Sequence, residues 1–163
     1  MEKALNNFEE SAQKFIKKID EVEAKIKKID EKLAKVRSEL EPLEVEILKI
    51  SSELRDAEHK LHTKLNKVKR TRKLYLQEDD VRKMEQLERD HDQLMKEVHK
   101  LDKKIKELKA KYEELVKKED KLLQEEMELE HKKAVLYNER EALMRQAERI
   151  MANLSNKIKR VRV

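Results

Sequence analysis

Glycine and cysteine are absent from the 163 residues, proline occurs once, and aromatic side chains make up 3%. Compact domains use glycine where a turn needs positive φ, so a sheet fold with tight turns is excluded. Loops that cradle phosphate are excluded with it. Without cysteine there is no disulfide framework and no thiolate chemistry, which fits a reducing compartment. Nor does any run approach the roughly 20 apolar residues of a membrane span or the apolar core of a secretion signal. The chain is therefore expected to be soluble and intracellular, cytoplasmic or cytoskeletal, with no transmembrane segment.

What is present is charge. Lys and Arg number 41, Asp and Glu 36, and together they form 47% of the chain. Glu, Lys, Leu and Arg are strong helix formers, and this composition is that of long helices and coiled coils. The expected fold is all-α: an extended, rod-like coiled coil of one or two long helices with a discontinuity near residues 64–82.

Apolar side chains recur at alternating steps of three and four: Leu5, Phe8, Ala12, Phe15, Ile19, Val22, Ile26, Ile29, Leu33, Val36, Leu40, Leu43, Ile47, Ile50, Leu54, Ala57 and Leu61. This is the heptad pattern, with one narrow seam at positions a and d that must face a partner helix. Pro42 falls inside the run. It removes a backbone donor and clashes with the preceding turn, yet the stripe keeps phase from Leu40 through Leu43 to Ile47. A kink on the outer face is expected there, with a turn as the alternative.

A second run starts at Met84 and continues through Leu87, His91, Leu94, Val98, Leu101, Ile105, Leu108, Tyr112 and Leu115. Its d positions stay apolar at Leu122, Leu129, Leu136, Leu143 and Ile150, whereas its a positions become Glu119, Glu126, Lys133 and Arg140. In a parallel homodimer each charged a residue would meet its own kind. A partner of opposite charge order is therefore implied, for which an antiparallel second copy centred between Leu129 and Glu130 is one arrangement.

Between Leu61 and Met84 the heptad count does not close, and no single three- or four-residue insertion restores it. The residues from His59 to Gln77 carry seven basic groups and no acid, and Glu78, Asp79 and Asp80 follow at once. Cations suit a helix C-terminus and carboxylates the next N-terminus. A hinge or hairpin tip is expected near Lys73 to Asp80, and the lack of glycine favours a bend over a tight reversal. The chain thus divides into a first coiled-coil segment (1–63), a basic discontinuity (64–82), a second coiled-coil segment (83–156) and a basic tail (157–163).

Two Glu-x-x-His pairs, Glu88 with His91 and Glu128 with His131, have the spacing of carboxylate-bridged metal sites. Their heptad positions aim them in different directions, so neither a metal nor a cofactor is expected. With no cleft to hold a catalytic set, the chain is not expected to be an enzyme or to take a small-molecule substrate. The excess positive charge is local: residues 59–77 carry +7 and residues 149–163 carry +5. Lys64, Lys67, Lys69, Arg70, Arg72 and Lys73 in the first patch, and Lys157, Lys159, Arg160 and Arg162 in the second, are candidate contacts to a polyanion. A basic-leucine-zipper arrangement does not fit, because Lys69 and Arg70 stand after Asn66 where small residues would be needed.

The leading functional expectation is a structural rod, spacer or tether that works by helix-to-helix association in a cytoskeletal, centrosomal, ciliary or motor-associated assembly. Its partner would be itself or a heterologous coiled-coil helix. The alternative is a helical module that presents its basic patches to nucleic acid, to an acidic membrane, or to an acidic protein surface such as a microtubule.

Overall fold

The computed structural model describes residues 2–162, apart from the side chains of Ala4 and Arg162. Two helices account for almost all of them: α1, Glu2–Gln77, and α2, Val81–Arg162. The expected all-α architecture with a central break is thus observed. The break falls inside the 64–82 stretch but is shorter, only Glu78, Asp79 and Asp80.

Across those three residues the chain reverses, where a bend was expected. The reversal uses capping rather than glycine, and none of the described residues has positive φ. The backbone N–H of Glu78 donates to the Tyr75 carbonyl, ending α1 with a tight last turn. Asp80 is the N-cap of α2: its Oδ1 accepts from the Arg82 amide at 3.0 Å, and its carbonyl accepts from the Met84 amide at 2.9 Å. Glu78 Oε1 accepts from the Asp80 amide. An Asp at this position satisfies an otherwise orphaned amide at the start of a helix.

The seam also continues further than expected. Leu61, Val68 and Tyr75 lie seven apart, and Val68 is only 3% exposed. The intervening d positions are polar: Lys64, half-buried, and Thr71, whose hydroxyl donates to the Lys67 carbonyl at 2.9 Å. These two polar residues conceal an unbroken frame. The miscount arises in the three connecting residues, after which α2 starts a frame of its own.

The structure divides into two compact units. The first contains α1 as far as Glu39 and α2 from Leu122 onwards; the second runs from Leu40 to Lys121 and includes the reversal. In each, the two helices run antiparallel. In the second unit, Ile50 and Ala57 of α1 and Ile105, Leu108 and Leu115 of α2 form one buried cluster, with Leu43, Ile47, Leu54 and Leu61 packed against it. In the first unit, Val22, Ile26, Leu33 and Val36 are buried, and the α2 residues Leu122, Leu129, Leu136, Leu143 and Ile150 are half-buried. Burying such side chains contributes about 1.5–3 kcal/mol each when complete.

Pro42 lies within α1 and is exposed, as is Ser38, whose carbonyl loses its usual donor. The helix runs through it with no turn. Leu5, at the start of the expected seam, is 44% exposed. The apolar pattern of α2 has ended by then, with Lys157 at the d position after Ile150, so Leu5 has no apolar complement.

Candidate functional site

The charged a positions of α2 show how the sequence selects its register. Glu126 lies 4.0 Å from Arg37, Lys133 pairs with Asp30, and Arg140 lies 4.0 Å from Glu23. Glu23, Asp30 and Arg37 are spaced by seven at the e positions of α1, so three of the four charges at a on α2 meet an opposite charge at e on α1. Glu119, whose place in this register is opposite Glu44, forms no ion pair among the described residues. Arg37 also donates to Glu130 at 3.1 Å. Complementary charge at the edge of a seam fixes register and direction more than it adds stability. The partner of opposite charge order is therefore the chain's own first helix, which removes the electrostatic reason for a second copy centred near Leu129. Tyr137 supports the two cations, with Lys133 Nζ 5.6 Å and the Arg140 guanidinium carbon 4.7 Å from its ring centroid. Asp30 holds the Lys133 ammonium above the usual lysine range.

With a and d turned inward, the e column of α2 becomes the notable surface of the first unit. Leu123, Tyr137, Met144, Met151 and Ile158 follow one another at heptad spacing, interrupted at Glu130, and all are exposed, Met151 by 63%. Ile16, on the e column of α1, is exposed in the same unit. An apolar line repeated every seven residues has the spacing that helix-to-helix packing uses. Sequence reasoning missed it because attention to a and d left e unread.

In the second unit the basic stretch is divided among different faces. Lys64 Nζ lies 2.7 Å from Glu97 Oε2, and this ammonium, aided by Gln93 and Lys67, holds the Glu97 carboxyl below the usual carboxylate range against the effect of burial. Arg72 Nε donates to His91 Nε2 at 3.0 Å. Lys67, Lys69, Arg70 and Lys73 are exposed and form no ion pair among the described residues. Beside Lys64 and Glu97 runs an open groove of about 370 Å³ lined by Lys60, Thr63, Lys64, Glu97, Lys100 and Leu101. Lys60 and Lys100 come from different helices, and no feature of the sequence assigns Lys100 to the patch. In the tail, Lys157, Lys159 and Arg160 are exposed on the last turns of α2. The side chain of Arg162 lies outside the described residues.

Near the reversal, a groove of about 510 Å³ is lined by Thr71, Arg72, Tyr75, Leu76, Leu87, Glu88, His91 and Asp92. Tyr75 donates its hydroxyl proton to Glu88 Oε1 at 2.9 Å, and this bond and the carboxylate charge raise the phenol above its ordinary range. Glu88 and His91 are thus both engaged by α1. Among the described residues no three His, Cys, Asp or Glu side chains gather to hold an ion, and no helix is long and apolar enough to cross a membrane.

The residues define an all-α protein of two long helices paired antiparallel. Compared with known proteins, the chain matches no protein-family model, no curated protein and no solved structure.

Proposed function

We propose that the chain is a structural coiled-coil protein, without catalytic activity, that acts by helix-to-helix association as a spacer or tether in a cytoskeletal, centrosomal, ciliary or motor-associated assembly. The supporting observation is the exposed e column of α2. The a and d seams are consumed within the chain, so the molecule needs no partner to bury them. Other exposed apolar side chains, such as Leu48 and Met127, stand off this column; the line from Leu123 to Ile158 is the one that repeats at heptad spacing, as helix pairing requires.

The helix that fits this line is α2 of a second copy, packed antiparallel. A two-fold axis between Arg140 and Glu141 sets Leu123 against Ile158 and Tyr137 against Met144. It also places Glu130, already bonded to Arg37, against Met151 rather than against its own copy, as a parallel dimer would. Methionine adapts to such irregular surfaces.

Sedimentation equilibrium of the full chain tests this reading, with circular dichroism as the control for folding. The wild type is expected to self-associate, and Met144→Glu with Met151→Glu to sediment as a monomer of unchanged helix content. A wild type that stays monomeric at every concentration up to about 100 µM, near the weak end of specific association, would overturn it.

A further inference from the structure

We propose that the second unit carries a binding site for the phosphate backbone of a duplex nucleic acid, built from both helices around the Lys60–Lys100 groove. This goes beyond the association surface of the first unit and shares no residue with it.

The groove places Lys60 and Lys64 of α1 beside Lys100 of α2, with Glu97 the single carboxylate among its lining residues. Lys67 is close enough to Glu97 to help stabilise its charge. Arg70, seven residues after Thr63, occupies the same column of α1 one heptad further on, about 10 Å along the axis. Glu97 is engaged by Lys64, which leaves Lys60, Lys67, Arg70 and Lys100 as cations without an ion pair among the described residues. Unpaired cations in a line neutralise successive phosphates and release their counterions. The carboxylates of Asp79 and Asp80 lie at least nine residues beyond Arg70, roughly 13 Å along the helix axis. That exceeds a screening length of about 8 Å at physiological salt, whereas Asp56, one turn before Lys60, bounds the patch at its other end.

Three features select the ligand. No aromatic ring lies among the groove residues, so there is no platform on which unpaired bases would stack, as single-strand sites require. The column through Thr63 carries Arg70 and Gln77, and that through Lys60 and Lys67 reaches one exposed apolar side chain, Leu74, where interfacial helices bury a continuous apolar face. A pair of helices, each about 10 Å across, is too wide for a major groove of about 12 Å. Contact is therefore to phosphates and independent of base sequence.

Fluorescence anisotropy of the full chain with a labelled duplex of about 24 base pairs, titrated between 50 and 200 mM salt, tests the site. Four phosphate contacts give a loss of about 150-fold in affinity over that range. Lys60→Gln with Lys100→Gln should reduce the loss to about 12-fold, while Lys14→Gln with Lys17→Gln, in the first unit, should leave it unchanged. Glu97→Gln removes the groove's one carboxylate and should tighten binding. An unchanged salt slope in the Lys60/Lys100 variant would overturn the site, even if neutralising Lys157, Lys159 and Arg160 abolished binding. So would binding to phosphatidylserine vesicles without binding to the duplex, or no duplex binding at 50 mM salt. None of these results bears on the sedimentation of the Met144/Met151 variant, so the two proposals stand or fall separately.

Discussion

Charged residues at the seam act here as addresses. Lys133 and Arg140 occupy a positions of α2 and are half-buried, where apolar residues would pack better. Glu23 and Asp30 recover part of that loss and fix which turn of α1 lies opposite. Glu97 shows the same logic at a d position of α1 occupied by Lys64. Its carboxyl sits below the ordinary range, so the pair contributes above the unfolded pKa of about 4.3 and is lost as pH falls through the lowered value. Thermal midpoints of wild type and Glu97→Gln should therefore differ at pH 7 and converge as pH falls through the lowered carboxyl pKa. The sign reverses for Lys133, whose raised pKa makes its contribution complete below about 10.4 and lost as pH climbs through the folded value. A packing residue behaves differently. Leu33 is 2% exposed, and Leu33→Ala should cost about 2 kcal/mol at any pH, the low end for buried leucine because two helices enclose a core incompletely.

At the scale of elements, two features of α1 resist simple propensity. Pro42 continues the helix because its ring points outward and the turn it disturbs is exposed. Pro42→Ala should raise the thermal midpoint, by up to about 3 kcal/mol in equivalent stability, with no loss of helix by circular dichroism. The seam positions, the site of the break and the outward face of Pro42 were all readable from heptad arithmetic. The reversal was not, because its signal is the hydrogen bonding of Asp80 and Glu78 rather than glycine. The hidden heptad through Val68 was lost for a related reason: Lys64 and Thr71 are polar by type, yet each finds a partner, Glu97 or the Lys67 carbonyl, that lets it sit at the seam. Lys100 could not have been assigned to the basic patch, since only the pairing of helices brings it beside Lys60.

For the whole molecule, the consequence is economy of interfaces. Both units bury a and d within the chain, so self-pairing rather than dimerisation supplies the folding energy, and what lies outside the seam is free for binding. The apolar e column of the first unit and the cationic groove of the second are chemically distinct, as expected if each serves a different partner. The central claim beneath both is that α2 folds back on α1 of the same chain in the register that places position 30 beside position 133, a register the Glu23–Arg140 and Arg37–Glu126 pairs also specify. The direct measurement is cross-linking of an Asp30→Cys, Lys133→Cys double variant with a short bismaleimide, read by mass under denaturing conditions. The account predicts a cross-link within one chain, at the mass of a monomer, whatever the protein concentration. Cross-linked dimers without the intramolecular product would contradict it.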